Sequence, residues 1–324
     1  YVTRDIDKAI HYFSLAANQN YAQAQYNLGK VYSEGKYINI NIEKAIHYYT
    51  LAVNQKYAQA QYDLGVIYYE GKHINRNVEK AIYYFKLAAD QNILKAQNNL
   101  GVIYCDGKYV QRDMKKALHY LTLAAKQNQE TALNSLGKIY GEGPLIERDV
   151  KKCIHYFTLA ANRNNVTSMY NLGNLYSTRE MNVFDIEKAI YYFTLAAKNN
   201  HVDAQNRLGL LYYQGIEVKR DIIKAIHYLK LAADHNNLDA QNTLGTIYHE
   251  GKYVPRDIEK AIHYLTIPAE HKYSTAQNNL GLIYYEGIHV TLDIKKAIHY
   301  FTLAANLNNV KSQYNLGAIY YDGK

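Results

Sequence analysis

Residues 60–89 read AQYDLGVIYYEGKHINRNVEKAIYYFKLAA, and this stretch decides the fold because the rest of the chain repeats it. Its Leu64-Gly65 pair recurs at Leu28-Gly29, Leu100-Gly101, Leu136-Gly137, Leu172-Gly173, Leu208-Gly209, Leu244-Gly245, Leu280-Gly281 and Leu316-Gly317, always 36 residues apart, and the 324 residues of the chain are nine times 36. Three further columns hold in all nine copies: Lys8 to Lys296, Tyr12 to Tyr300 and Tyr32 to Tyr320. A fixed period of this length marks supersecondary units that cannot bury their apolar faces alone and cover one another by stacking.

Within one copy, Ile6, Ala9, Ile10, Phe13 and Ala17 fall on one helical stripe and Asp7, His11, Ser14 and Asn18 on the opposite one, which predicts an amphipathic helix over about residues 5–19. Asp5, an Asp or Asn in every copy, is its expected N-cap. Asn20, replaced by Lys in only two copies, is its expected left-handed stop. A second helix is expected over 22–34, with Ala24, Leu28, Gly29 and Tyr32 on one stripe. A glycine inside a helix costs about 1 kcal/mol relative to alanine, so Gly29 reads as a point of close approach. Gly35 ends that helix, and a short loop leads to the next cap. The unit is helix, tight turn, helix, loop, and nine units give an all-α solenoid.

The columns Ala60, Leu64, Gly65, Tyr68, Gly71, Asn77, Lys80, Ala81, Tyr84, Ala88 and Ala89 resemble the Sel-one-like repeat family over the whole chain. The resemblance implies a right-handed α/α superhelix related to tetratricopeptide repeats, acting as an adaptor or scaffold in multiprotein assemblies. The sequence departs from the family where Asn20 replaces a usual glycine and where Tyr37, His73 and Tyr109 replace a loop glycine. Cysteine-rich bacterial members are described as hydrolase-like, but with two cysteines this chain gives that reading no support.

Composition narrows the function. Thirty-seven basic against 29 acidic residues gives a net charge of +8 spread without blocks, so no basic nucleic-acid groove is expected and RNA binding of the pentatricopeptide kind trails. No apolar run nears the roughly 20 residues of a membrane span, so no membrane insertion is expected, and the compartment cannot be read. Cys153 fills an alanine column and Cys105 a variable one, which gives neither a disulfide framework nor a zinc pattern. No nucleophile elbow, phosphate loop or metal motif occurs, so the reading is noncatalytic, with no cofactor and no metal.

Seven of nine copies carry histidine in one column, His11, His47, His119, His155, His227, His263 and His299, with Tyr83 and Tyr191 in the other two. Protonating all 13 histidines would move the charge from +8 to +21, yet a solvated face explains the column better than a metal ladder, because repeats stand about 10 Å apart. The lysine ladder reads as structural: its stems cover apolar surface and its charges pair with nearby carboxylates. Tyr26, Tyr62, Tyr69, Tyr213 and Tyr285 look exposed and suited to an interface. If the first helix lines a concave surface, the variable polar columns read the protein partner: Gln23, Tyr26, Asn27 and Lys30, with Gln59, Tyr62 and Asp63 in the next copy.

Residues 177–184 break the repeat pattern, with Arg179 where the other copies have glycine, and read as a kink, a local binding patch or simple drift. Asn165-Val166-Thr167 is the one glycosylation-type triplet, which places a candidate glycan on Asn165. The ends carry no polar caps and are in phase, so 1–324 reads as a single repeat array, either cut from a longer one or stacking head to tail into a filament. In the second case Ile6, Ala9, Ile10 and Phe13 at one end meet Leu316 and Tyr320 at the other.

Overall fold

The computed structural model describes residues 4–142, 147–179 and 182–323. The chain divides into two compact units. The first, residues 1–165, holds α1 (Ile6–Asn18), α2 (Ala22–Glu34), α3 (Ile42–Asn54), α4 (Ala58–Glu70), α5 (Val78–Asp90), α6 (Leu94–Asp106), α7 (Met114–Lys126), α8 (Glu130–Glu142) and α9 (Val150–Ala161). The second, residues 166–324, holds α10 (Val166–Ser177), α11 (Ile186–Lys198), α12 (Val202–Gln214), α13 (Ile222–Ala233), α14 (Leu238–Glu250), α15 (Ile258–Glu270), α16 (Ser274–Glu286), α17 (Ile294–Ala305) and α18 (Val310–Asp322). Among the described residues there is no strand. Within each unit the helices stack in chain order as an α-solenoid.

The helix ends lie where the sequence puts them, for local reasons. The Oδ1 of Asp5 accepts the amide of Lys8 at 3.0 Å, and the same cap recurs at Asn41, Asn77, Asp113, Asp149, Asp185, Asp221, Asp257 and Asp293. Asn20 and its eight equivalents, Lys56 and Lys272 included, all sit at φ of 59–64°, the left-handed turn that lets the next helix start at once. Gly35 closes α2 at φ 63°. The loop is then clipped by the Asn41 amide donating to the Tyr32 carbonyl at 2.9 Å, a bond repeated at each described loop.

The tightest packing crosses the loop rather than the turn, so α2 pairs most closely with α3. Gly29 shows why. A Cβ added there would lie 2.5 Å from Cδ1 of Tyr49, and Gly65, Gly137, Gly173 and Gly281 receive Phe85, Phe157, Phe193 and Phe301 in the same way. The aromatic or leucine residue in the Phe13 column is a knob, and the helical glycine of the preceding copy is its socket. Leu64, Leu100 and Phe85 behind these contacts are fully buried.

The two constant tyrosine columns and the lysine ladder form a second fastening. Tyr32 stacks on Tyr48, and each later pair to Tyr284 on Tyr300 repeats this, with centroids 5.7–6.2 Å apart and planes within 10°. Lys44 places its Nζ 5.1 Å from the Tyr32 ring centre, and its equivalents to Lys296 lie at 4.9–5.3 Å from theirs. Where the cap is aspartate the same ammonium also reaches it, as Lys116 does Asp113 at 2.9 Å. The lysine column is thus structural: one side chain ties a helix cap to a stacked ring pair of the neighbouring copy.

A third fastening was not foreseen. Gln25, Gln61, Gln97, Gln205, Gln241 and Gln277 are buried. The Nε2 atoms of Gln25, Gln97, Gln205, Gln241 and Gln277 donate to the last carbonyls of the preceding helix, as in Gln25 to Ala17 O at 3.2 Å, and Gln55 in turn donates to Gln25 Oε1 at 2.7 Å.

Candidate functional site

The cross-loop pairing leaves the outward faces of the even-numbered helices to carry the variable columns. In the first unit, Tyr26 and Lys30 on α2, Gln59, Tyr62 and Asp63 on α4 and Lys95 on α6 line one open groove of about 520 Å³. Five of the seven partner-reading candidates therefore come together. Gln23 and Asn27 do not join them: Gln23 bonds Asn27 at 3.3 Å, and Asn27 lines a smaller depression beside Ile6 and Phe13. The groove residues sit on the second helix of each sequence unit, not on the first, because the constant columns of the first helix are consumed by the knob and the stacked tyrosine. The five tyrosines read as exposed are half-buried instead. Tyr26 packs on Tyr49 at 5.8 Å, Tyr62 on Phe85 at 5.8 Å, Tyr69 on Phe85 at 6.4 Å, Tyr213 on Tyr253 at 6.2 Å and Tyr285 on Phe301 at 6.5 Å, since each ring leans on a knob or a neighbouring loop.

Asp63 is the unusual group. Its carboxylate is half-buried and accepts from Gln59 at 3.3 Å and from the Tyr26 hydroxyl. Among the described residues no lysine or arginine nitrogen lies within 4 Å of it, whereas Lys30 is 3.5 Å from Glu34 and Lys72 is 2.8 Å from Glu70. Loss of hydration raises the Asp63 pKa above its ordinary value, against the pull of Tyr26, Gln59, Lys30 and Lys95. Burial first and Asp63 second likewise raise the Tyr26 phenol.

The other candidates fall elsewhere. The histidines of the column are exposed, each edge-on to its neighbouring tyrosine at 5.0–5.4 Å. Among the described residues no three of His, Cys, Asp or Glu converge as a metal site would require. Burial pushes the Cys153 thiol up to about 11 and raises Cys105 as well, which disfavours the thiolate that a reactive cysteine needs. Residues 180 and 181 of the irregular stretch lie outside the described residues, while Arg179 is exposed and reaches Glu217 at 2.9 Å. Asn165 is half-buried in the turn after α9. No helix among the described residues is long and apolar enough to cross a membrane.

Paired helices fastened by repeated knobs, ring stacks and caps define the class: a tetratricopeptide-like α-solenoid repeat protein. The pattern of the Sel1 repeat matches residues 1–21, 22–57, 58–93, 94–129, 131–165, 166–201, 202–237, 238–270, 274–309 and 310–324, and the chain belongs to the Sel1 repeat family. The family's repeat starts at the α2 type of helix and takes in the following α3 type, the pair joined by Gly29 and Tyr49, so the nine sequence units appear half a unit out of phase with part-repeats at both ends. In that frame the groove residues do lie on the first helix of the repeat.

Two solved structures are similar over nearly the whole chain. The protective antigen c5321 of uropathogenic Escherichia coli, which displays an SLR fold, is 29% identical with a TM-score of 0.82, over 97% of this chain and 67% of that one. A Sel1 repeat protein from Oxalobacter formigenes is 28% identical with a TM-score of 0.70, over 95% of this chain and 89% of that one. No curated protein matches the sequence.

Proposed function

We propose that the chain is a noncatalytic protein-interaction scaffold, and that the groove of the first unit docks its partner. The observation that carries this is the convergence of Tyr26, Lys30, Gln59, Tyr62 and Asp63 in one open groove, built from columns whose residues change from copy to copy. Half-buried tyrosines held from behind lose little freedom on binding and offer both apolar area and a polar tip. The reading needs no cofactor, nucleic acid or lipid. The test is site-specific photocrosslinking in the native host. A crosslinker at position 62 is expected to trap a discrete protein that one at position 119, on the exposed histidine face, does not. Equal capture from both positions, or none from position 62, would overturn the groove.

A second reading, end-to-end stacking of copies into a fibre, has its own observation. Among the described residues a Cβ at Gly317 would meet nothing within 4 Å, and Tyr12 and Tyr320 are 65% and 68% exposed. Phe13 seated on Gly317 and Tyr12 stacked on Tyr320 would continue the internal geometry, beside the half-buried Ile6, Ala9, Ile10 and Leu316. Sedimentation against concentration decides it: Phe13→Asp abolishes elongation on this reading, and a chain that stays monomeric at high concentration rules it out.

A further inference from the structure

Asp63 stands alone in its column. The equivalents are Asn27, Asn99, Ser135, Asn171, Arg207, Thr243, Asn279 and Asn315, so one copy of nine carries a negative charge there, and that copy lines the groove. The seven aspartates at the helix caps each have a lysine within 4 Å, whereas among the described residues the Asp63 carboxylate is met by two neutral donors, the Tyr26 hydroxyl and the Gln59 amide. Lys30 and Lys95 act on this half-buried carboxylate only at longer range, and an incoming cation in direct contact supplies what the fold does not.

The walls suit one cation in particular. Tyr26 and Tyr62 flank Asp63 and are fixed from behind by Tyr49 and Phe85, so their rings are held in place beside the carboxylate. A guanidinium over a tyrosine already recurs in this chain, with Arg76 at 4.8 Å from the Tyr109 ring centre and Arg220 at 4.5 Å from that of Tyr253. Planar stacking and a two-pronged bond to carboxylate are both properties of arginine that lysine lacks.

Building on the docking role proposed above, we infer that the groove receives an arginine side chain from an extended segment of a partner protein, stacked on Tyr26 and Tyr62 with its guanidinium on Asp63. The lysines of the groove shape the rest of the segment. Lys30 and Lys72 are engaged by Glu34 and Glu70, while Lys95 has no ion partner within 4 Å among the described residues and faces the same space. Lys95 repels a second cation and attracts a carboxylate, so the segment that fits is mixed in charge rather than polybasic.

The experiment is a selection of phage-displayed random dodecapeptides on the full chain, followed by affinity measurement of the recovered peptides. Peptides with a shared arginine are expected, and replacing that arginine by citrulline, which keeps the shape and removes the charge, should weaken binding at least tenfold. Asp63→Asn should weaken it at least tenfold with an unchanged circular dichroism spectrum, and Lys95→Glu should weaken it further only for peptides that carry an acid. Peptides that bind, are lost on Tyr62→Ala, and yet ignore both citrulline and Asp63→Asn would overturn the arginine inference while leaving the groove as a docking site. Failure to recover any peptide sensitive to Tyr62→Ala would overturn both.

Discussion

The second unit has a groove of its own, on the same columns and of similar size, about 600 Å³, but with different chemistry. Where the first groove has Tyr26 and Tyr62 the second has Asn242 and Asn278, and where the first has Asp63 the second has Thr243 and Asn279. Its polar groups bond one another across the helices: Thr275 donates to Asn242 at 3.0 Å, Asn279 to Thr246 at 3.1 Å and Ser312 to Asn278 at 2.9 Å. That groove is neutral at these positions and partly self-satisfied, while the first holds an unpaired charge between aromatic walls. Constant columns therefore make the solenoid, and substitutions in a few variable columns make equivalent surfaces chemically unlike.

The largest expected effect separates scaffold from site. Gly65→Leu drives a side chain into the Phe85 ring, since even its Cβ would lie 2.5 Å from Cδ1, and should destabilise the first unit by about 3 kcal/mol. Gly317→Leu, with nothing within 4 Å, should leave stability unchanged or slightly higher, because leucine is the better helix former. Thermal denaturation of the two variants checks the pair, and similar losses at both positions would refute the socket reading.

A smaller loss is expected from the ring stack. Tyr248 is 7% exposed, stacks on Tyr264 at 6.1 Å and lies under Lys260, so Tyr248→Leu keeps most of the apolar area and gives up the stacking and the cation contact, about 1 kcal/mol. The same change at exposed Tyr320 should cost almost nothing. Urea titration of both variants measures the difference.

How far the sequence discloses these features depends on their range. Helix bounds, the Asp5 cap, the Asn20 turn and the Gly29 contact are written in neighbouring residues or in a strict period, and the structure repeats them. The glutamine ladder was not legible, since Gln25 and Gln55 pair 30 residues apart and neither column is apolar or constant. The groove was half legible. Variation marked Tyr26, Tyr62 and Asp63, but that their copies lie side by side and that Asp63 lacks a cation depend on packing across the loop. Exposure of the tyrosines was misjudged because a ring on a polar stripe can still lean on a knob from the next helix.

The smallest effect bears most directly on the contrast between the grooves. Folding raises the Asp63 pKa above its unfolded value, chiefly through lost hydration, so the folded state prefers the protonated acid. Such a group contributes its stability below the unfolded pKa and loses it as pH rises through the folded one, which leaves ionised Asp63 a burden on the first unit at neutral pH. Asp63→Asn removes the charge while keeping the shape, and should raise the melting temperature at pH 7 by roughly 1–3 °C. At pH 3, where the wild-type carboxyl is itself largely protonated, the gap should close. Thr243→Asn at the equivalent position of the second unit should show no such pH dependence, since no charge is exchanged there. A wild-type chain more stable than Asp63→Asn at pH 7 would mean that a cation of the chain itself already satisfies Asp63, and the charge contrast between the grooves would fall with it.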